Sequence, residues 1–517
     1  MQDKLVKIAL AQVGIREVGG NNCGKQIRIY QEATTLEPGA WPWCAAFTCW
    51  LFREWLKDQE VIDWLSLKTA SVAQWRPKTA SAFAFMDWAR ARQKTVAMYS
   101  DTATAMPGDL VVFDFSHIGL VIKDNGKTIE TVEGNALPLT SKILTPGGFK
   151  LMKDIQVGDK IIDPEGEESF VTGVFPKGER DVYKVELQDK SESIACGEHL
   201  WKIYIDGKKG DRVIDTLALK NIIDNQTISP RLPLIKPVDF EPSGELPIDP
   251  YLLGLLLGDG GMSRDYLGFT NQDEQILEYV RTHLPEGHRL KDHIENENKV
   301  EGNYRIIGDE KGKNKLLQEL NNLGLQGKRS FEKSIPDIYK KASIEDRLSL
   351  LQGLMDTDGT IDKIGRIEFS SSSKQLSEDV LEIIRSLGGR CSLNVKTDVF
   401  YTSPKQKTKK AARDAYRLQN INMPFFNLFK LERHAKRFKF RNAAWARKVV
   451  SVEPAGREEV QCISVSAKSK LFITNDYMPT HNTNGKGERD SKSGDGVWYK
   501  TRAKSLAQKF IRVHPSK

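Results

Sequence analysis

The pair His481-Asn482 is followed directly by Thr483 in this sequence. An asparagine side-chain amide can attack its own backbone carbonyl carbon, so that a succinimide forms and the chain that follows is released. A neighbouring imidazole can assist this cyclisation by transferring a proton. The hydroxyl of the next residue, Thr483, can accept an acyl group from another part of the chain. These three residues predict a peptide bond that the chain itself can cleave.

A second group of residues has the types that nucleophilic hydrolysis requires. Cys44 lies in the run WCAAF, His117 begins the run HIGLVIK, and Glu133 and Asn135 lie in the segment KTIETVEGN. A cysteine in the first turn of a helix is favoured as thiolate, His117 could act as its base, and a third side chain could orient the imidazole. Either Glu133 or Asn135 could be that third group.

Two apolar runs each end in aspartate and glycine, LLGLLLGDG at 252–260 and LQGLMDTDG at 351–359. If both runs are helices that pack small residue against small residue, Asp259 and Asp358 come together. Paired carboxylates at helix ends suit Mg²⁺, which takes oxygen ligands and water, and they suit hydrolysis of a phosphodiester. We therefore predict that Asp259 and Asp358 bind Mg²⁺.

Hydrophobic periodicity predicts the elements that position these residues. LVKIALAQVGI and CAAFTCWLFREWL predict helices, and LVVFDF (110–115), HIGLVIK (117–123) and KTIETVE (127–133) predict strands, the last two joined as a hairpin. From Ala136 the pattern changes to short strands with turns. After Asn482, glycine-rich polar sequence closes with AKSLAQKFIRV, which predicts an amphipathic helix.

The composition is typical of a folded multidomain protein. The 517 residues suggest about three or four domains, and 39% of them are hydrophobic and 28% charged. No apolar run approaches the ~20 residues that cross a bilayer, and the first residues lack the pattern of a secretory signal. We expect synthesis in the cytoplasm and no membrane partner. The six scattered cysteines include no CxxC pair, which argues against a zinc site or a disulfide framework.

The segment from Ala136 to Asn482 resembles an intein. KILTPGGFKLMKDIQVGD is similar to the opening block of inteins, and LFITNDYMPTHNT is similar to the closing block. Most inteins begin with a cysteine or serine nucleophile, which alanine cannot replace. Trp201, Cys462 and Thr480 match the Trp-Cys-Thr triplet of the third mechanistic class, whose first residue is not a nucleophile. The resemblance implies an all-β splicing domain of the Hedgehog/intein fold that needs no cofactor.

The same resemblance implies the first step of splicing. The Cys462 thiolate attacks the carbonyl carbon of Asn135, and His199 protonates the departing nitrogen of Ala136. Cys196 stands three residues before His199, where the family usually has threonine. It either replaces the hydrogen bond of that threonine weakly or is a packing residue, and we prefer the second interpretation.

The later steps join the two flanks. The acyl branch passes from Cys462 to the hydroxyl of Thr483, and Asn482 then cyclises with help from His481. An oxygen-to-nitrogen acyl shift finally leaves Asn135 bonded to Thr483.

The two runs that end in Asp259 and Asp358 resemble the LAGLIDADG helices of homing endonucleases. The resemblance implies an α/β domain that cleaves double-stranded DNA, with the uninterrupted host gene as target. The basic runs SPKQKTKKAARDAYR (403–417) and KLERHAKRFKFR (430–441) could contact phosphates or could form a solvated surface.

The flanks resemble CHAP-type cysteine amidohydrolases and endopeptidases, which are common in phage lysins. WCAAF, Ser116-His117-Ile118-Gly119 and Glu133-Gly134-Asn135 carry this resemblance. It implies an α+β papain-like fold and peptidoglycan as substrate, so that the host product acts on the cell wall. By the family pattern we prefer Glu133 as the group that orients His117, with Asn135 assisting.

We therefore expect a monomeric multidomain precursor. The predicted divisions are a hydrolase N-terminal part at 1–135, splicing segments at 136–235 and 446–482, an endonuclease at 236–445 and a hydrolase C-terminal part at 483–517. The alternative is a splicing-competent intein with an inactive endonuclease in a non-catalytic wall-binding host. A DNA nuclease with accessory ends is a further alternative, but the His-Asn-Thr junction argues against it.

Overall fold

The computed structural model describes the greater part of the chain. The described residues are 1–12, 24–39, 41, 43–100, 104–113, 117–126, 128–132, 137–197, 199–205, 211–226, 228–241, 244–263, 265–295, 298–308, 314–397, 399–402, 409–411, 413–440, 446–481, 499–503 and 507–515.

The N-terminal part begins with helices and continues with strands. The run CAAFTCWLFREW is apolar on nearly every side, so its helix is buried almost all round. The predicted helices at the N-terminus and in this run, and the three predicted strands, are confirmed. The elements are α1 (Gln2–Leu10), α2 (Lys25–Gln31), α3 (Cys44–Trp55), α4 (Gln59–Trp64), α5 (Val72–Trp75), α6 (Ala84–Arg90), β1 (Val96–Tyr99), β2 (Leu110–Phe113), β3 (His117–Asp124) and β4 (Thr128–Val132).

From residue 137 the chain is mostly extended, as the run of short strands and turns predicts. The elements are β5 (Leu137–Pro138), β6 (Lys142–Thr145), β7 (Gly148–Leu151), β8 (Lys160–Ile162), β9 (Glu168–Leu187), β10 (Glu192–Cys196), β11 (Leu200–Ile205), β12 (Asp211–Asp215), α7 (Thr216–Asp224) and β13 (Pro230–Pro233).

Helices and strands alternate in the next part, which we call the two-helix domain. Asp249 caps its first helix by accepting a hydrogen bond from the Leu252 amide, and Pro250 stands at the first helical position. The elements are α8 (Pro250–Asp259), β14 (Gly260–Gly261), β15 (Leu267–Thr270), α9 (Glu274–His283), β16 (Arg289–Glu295), β17 (Asn298–Ile307), α10 (Lys315–Asn322), α11 (Asp337–Lys340), α12 (Ile344–Thr357), β18 (Gly359–Ile361), β19 (Ile367–Ser371), α13 (Lys374–Ser386), β20 (Arg390–Lys396), β21 (Phe400–Thr402), β22 (Lys409–Ala411), β23 (Ala415–Asn422) and α14 (Glu432–Ala435).

The last part of the chain adds strands to the sheets that residues 96–233 begin. Its elements are β24 (Ala446–Val465), β25 (Leu471–Thr474), β26 (Met478–His481), β27 (Tyr499–Ala503) and β28 (Ala507–Val513). Strands β24–β26 join β5–β13 and α7 in what we call the β domain. Its main sheet has the order β10-β9-β24-β13-β11-β12, with β5 paired to β24 and β8 paired to β9.

Both ends of the chain share one sheet, which forms the outer domain together with α1–α6. The strand order is β1-β28-β2-β3-β4-β27. Arg512 in β28 donates to both carboxylate oxygens of the buried Asp109, at 2.9 Å to Oδ1 and 2.7 Å to Oδ2. The expected helix at AKSLAQKFIRV is therefore wrong, because residues 507–513 form a strand between β1 and β2. Pairing with strands distant in sequence overrides the local amphipathic pattern there.

The two-helix domain has two halves with the same order of elements. Helix α8 precedes the sheet β14-β15-β17-β16, and α12 precedes the sheet β18-β19-β23-β20, with α9 and α13 in corresponding positions. The predicted packing of small residues is confirmed. A Cβ on Gly254 would lie 2.3 Å from the Leu350 carbonyl oxygen, and one on Gly353 would lie 2.4 Å from that of Tyr251. The α+β, all-β and α/β classes expected for the three parts are confirmed.

Replacing Gly353 by alanine should destabilise the two-helix domain, because the added methyl group meets backbone that cannot turn away. Overpacking of this kind costs roughly 1–3 kcal/mol. Hydrogen exchange of the α8 and α12 amides in the full chain would measure the loss. Gly268→Ala in β15 is the matched control, since its nearest neighbour lies at 3.8 Å. Equal protection in the two variants would contradict the prediction.

Candidate functional site

The short strand β5 pairs with the long strand β24 next to Cys462. In the antiparallel register, Leu137 lies opposite Gln461 and Pro138 lies opposite Val460. Cys462 follows Gln461 in the chain, and Leu137 directly follows Ala136. The pairing therefore brings the backbone that leads into Cys462 to the start of the segment that resembles an intein.

His199 is buried and contacts two of the predicted site residues. Its Nε2 forms a hydrogen bond with Oγ1 of Thr480, and its ring meets that of Trp201 edge to face at 5.1 Å. Trp201 Nε1 donates to Thr216 Oγ1 at 2.9 Å, and this hydroxyl donates to the His199 carbonyl oxygen at 3.1 Å. Trp201 and Thr480 thus hold His199 from two sides. Thr216, which the sequence analysis did not select, connects Trp201 to the backbone of His199.

The histidine at this site is electrically neutral near pH 7. Burial and, to a smaller extent, the nearby His481 lower the pKa of His199 to about 3. His481 ends β26 and is itself buried.

Cys462 and Cys196 belong to one small buried cluster with Val182 and Val460. The carbonyl oxygen of Cys196 accepts a hydrogen bond from the His199 amide at 3.1 Å. Cys196 thus connects the cluster that contains Cys462 to the backbone of His199.

Several predicted site residues lie outside the described residues. They are Glu133, Asn135, Ala136, Asn482 and Thr483. For His117 the structure describes the backbone, which begins β3 and pairs with Phe113.

Asp259 and Asp358 lie at the ends of the two packed helices α8 and α12. Burial and the charge of Asp259 raise the pKa of Asp358 to about 6. Burial also raises the pKa of Asp259, although the amide of Asn271 donates to its Oδ2 at 2.6 Å and opposes the shift. Among the described residues, no group of three or more histidine, cysteine, aspartate or glutamate side chains has the arrangement of a metal site. Two buried carboxylates with raised pKa values nevertheless fit a cation whose other ligands are water and phosphate oxygens.

Lys333 is a buried cation beside these aspartates. Its Nζ donates to the carbonyl oxygens of Leu257 at 2.7 Å and Gly260 at 2.8 Å, and so caps the C-terminal end of α8. Burial lowers its pKa to about 8, while the two aspartates oppose the shift. Sequence reasoning missed Lys333, because nothing in its local run distinguishes it from surface lysines.

Asp356 belongs to the same run as Asp358 but has a structural role. It accepts hydrogen bonds from the hydroxyl of Tyr251 at 2.7 Å and from the Lys430 amide at 2.9 Å. It therefore ties α12 to α8 and to the segment before α14.

Cys44 is the first residue of α3, where the dipole of the twelve-residue helix favours a thiolate. Cys44 and Ile118, the second residue of β3, contribute to the same hydrophobic core. The helix that carries the predicted nucleophile therefore packs near the strand that begins with His117. Cys49 on the same helix is buried, and its pKa is raised to about 12, which agrees with a packing residue.

Family models match two parts of the chain. The CHAP domain matches residues 37–135, and a LAGLIDADG-like domain matches residues 345–417. The replicative DNA helicase DnaB of Mycobacterium intracellulare is 26% identical over 388 residues, which cover 68% of this chain and 59% of the helicase. A DNA gyrase chain from Mycolicibacterium flavescens is 22% identical over 271 residues, which cover 47% of this chain and 44% of that gyrase chain. The chain thus spans less than two thirds of either relative.

Two kinds of solved structure are also similar. The MchDnaB-1 intein is 29% identical, with a TM-score of 0.14, and the match covers 16% of this chain and 59% of that intein. Mesophilic variants of the homing endonuclease I-DmoI are 16% identical, with a TM-score of 0.23, and the match covers 36% of this chain and 94% of that one. Within the described residues, the structure contains no helix with the length and apolar character needed to span a membrane.

Proposed function

We propose that this chain is a CHAP-type domain interrupted by an intein that carries a LAGLIDADG-like endonuclease domain, and that it is a precursor that splices itself. Splicing would begin at Cys462, in the manner of the third intein class, and would join Asn135 to Thr483. The pairing of Leu137 with Gln461 carries this proposal. It supports attack by the neighbouring Cys462 on the peptide bond before Ala136.

In the first step, the proton that leaves Cys462 must reach the departing nitrogen. A neutral His199 has to take up a proton before it can donate one. We assign that proton to the Cys462 thiol. The sulfur attacks the carbonyl carbon of Asn135, the bond to the Ala136 nitrogen breaks, and His199 returns the proton to that nitrogen.

The bond of His199 to Thr480 supports this role. The Thr480 hydroxyl is within reach of the Leu200 carbonyl oxygen, at 3.4 Å. A hydroxyl that donates to this oxygen accepts from Nε2–H of His199. The ring would then have Nδ1 as its proton acceptor.

Ligation needs no further reagent. The Thr483 oxygen attacks the thioester carbonyl, and the Cys462 sulfur leaves and regains a proton. The Asn482 amide nitrogen attacks its own carbonyl carbon, which breaks the bond to Thr483. The released amino group of Thr483 then attacks the ester, so that an amide forms and the hydroxyl is restored.

Intact-mass spectrometry of the purified protein tests the proposal directly. A splicing protein yields a ligated product of residues 1–135 and 483–517 and an excised segment of residues 136–482. A single uncut species under all conditions would contradict it.

For the two-helix domain we propose cleavage of double-stranded DNA at the uninterrupted host gene. Asp259 and Asp358 would hold a divalent cation, with Mg²⁺ our expectation, and the cation would supply activation of the attacking water. The two carboxylates provide oxygen ligands on either side of the helix interface, and Lys333 keeps the end of α8 in place.

For the outer domain we propose cysteine-dependent hydrolysis of peptidoglycan. Cys44 would be the nucleophile and His117 the base, with Glu133 orienting the imidazole and Asn135 assisting. Its position at the first turn of α3 supports the role of Cys44.

Replacing Cys44 by alanine in the ligated product should abolish hydrolysis of purified peptidoglycan, by about 10³-fold or more, because the attacking atom is removed. Cys49→Ala is the matched control on the same helix and should retain activity.

A splicing-blocked Cys462→Ala/Asn482→Ala precursor should hydrolyse peptidoglycan more slowly than the ligated product. The insertion follows Asn135 directly, and errors of about 1 Å in the position of a catalytic group can cost about 10²-fold in rate. Equal turnover by precursor and product would show that the insertion does not affect hydrolysis. No activity in either protein would favour the wall-binding alternative.

A further inference from the structure

A tight turn at residues 475–477 leads into β26, the strand that carries Thr480 and His481. Asp476 and Tyr477 both have left-handed backbone, with φ of 55° and 54°. Residues with a Cβ disfavour this conformation, so a turn with two of them in succession needs support from its surroundings. The turn ends where β26 begins, at Met478. Asn482 follows His481, the last residue of β26, in the chain.

The β domain supports the turn from one side. Buried Arg447 in β24 donates to the Asp476 carbonyl oxygen at 3.0 Å and to that of Tyr477 at 2.6 Å. The Glu192 amide donates to Asp476 Oδ2 at 2.9 Å. The Lys142 amide donates to Asn475 Oδ1 at 2.6 Å.

The two-helix domain supports the turn from the other side. Arg385, near the end of α13 and almost fully buried, donates from Nη1 to Asp476 Oδ1 at 2.6 Å. The carboxylate of Asp476 is thus shared between the Glu192 amide and this guanidinium. Tyr477 is also buried, and the turn packs against α13. The C-terminal end of α13, in the two-helix domain, therefore packs against the turn.

We propose that Arg385 is a positioning residue for the cyclisation of Asn482, acting through Asp476. The inference rests on the proposed splicing function. The guanidinium keeps the turn in its left-handed form, and the turn holds β26 in its register with β25, up to His481, the residue before Asn482. The endonuclease domain thus contributes to the last cleavage of splicing through α13, at a distance from Asp259 and Asp358.

The location of the contact between Arg385 and Asp476 predicts which step of splicing should become slower. Cys462 lies in β24, and His199 is held by the ring of Trp201 and by Thr216 in addition to Thr480 of β26. His481, by contrast, lies in β26 itself, which directly follows the turn to which Arg385 donates. Loss of the Arg385 side chain should therefore slow release at Asn482–Thr483 and spare the thioester at Asn135.

The test uses the full-length precursor and follows the two junctions separately. Thiol-induced cleavage at Asn135–Ala136 reports thioester formation, and mass spectrometry of the released 483–517 fragment reports cyclisation. Arg385→Ala should slow the second by about 10- to 100-fold, as expected for a displaced reacting group, with the first unchanged within about twofold. Arg385→Lys should restore part of the rate. Arg385→Ala should slow release less in an Asp476→Ala background than in the wild type, because the carboxylate partner of Arg385 is already absent.

Asn394→Ala is the matched control. Asn394 lies on β20 of the same half and accepts a hydrogen bond from Lys190 of the β domain at 2.8 Å, so its replacement removes a contact between the same domains away from the turn. This variant should release the fragment at the wild-type rate. Equal slowing of both junctions in Arg385→Ala, or release at the wild-type rate, would overturn the inference while leaving splicing intact. A wild-type precursor that cleaves neither junction would overturn the proposed function itself.

Discussion

Alanine in place of Cys462 should leave the bond between Asn135 and Ala136 intact and should reduce ligated product by about 10³-fold or more, as loss of a nucleophile does. The expectation follows from the chemistry, since Ala136 offers no alternative attacking atom. It also follows from the pairing of β5 with β24, which holds the start of the intein segment beside Cys462. Intact-mass spectrometry measures the fraction ligated.

Three variants complete this experiment. Cys391→Ala, which removes another buried cysteine, should splice normally, and Ala136→Gly should be tolerated. Asn482→Ala should stop succinimide formation while the branched species at Cys462 or Thr483 can still accumulate. Ordinary ligation in Cys462→Ala would eliminate this mechanism.

Replacing Asp259 or Asp358 by asparagine should abolish Mg²⁺-dependent cleavage of the uninterrupted host gene without slowing ligation. Each carboxylate would serve the cation, so the loss should be large for either one, about 10²-fold or more. Cleavage should also fall below about pH 6, because the pKa of Asp358 is raised to about 6 and protonation removes its negative charge.

The controls separate chemistry from folding. Both variants should still bind the target DNA in a gel-shift assay, since the basic side chains that we expect to contact phosphates are unchanged. If the wild-type protein does not cleave the target DNA, the result would support the alternative of an inactive endonuclease insertion. A double variant that still cuts its target would show that the assignment of Asp259 and Asp358 is wrong.

The sequence was most informative where chemistry and local pattern coincide. The helices α8 and α12 could be predicted because glycine and leucine repeat at helical spacing, and the packing of Gly254 against the backbone of α12 follows from the same pattern. His199, Trp201 and Thr480 could be selected by motif, and the structure brings them into contact.

Residues that act through distant contacts could not be predicted in this way. Lys333 reaches the end of α8, and Arg385 reaches Asp476, only after the tertiary fold has formed. The strand β28 was mistaken for a helix for the same reason, because its partners β1 and β2 lie about 400 residues earlier in the chain. A local pattern contains no record of such partners.

The interleaving of β28 between β1 and β2 changes what an incomplete reaction leaves behind. If the bond after Asn482 breaks before the flanks are joined, the C-terminal fragment is still an interior strand of the outer sheet, held by two strand ladders and by Arg512 on Asp109. Such a fragment dissociates only by opening that sheet, and while bound it remains at a high effective concentration beside its partner. A nicked molecule would thus behave as a two-chain enzyme, and denaturing electrophoresis would report a cleavage that size-exclusion chromatography does not detect.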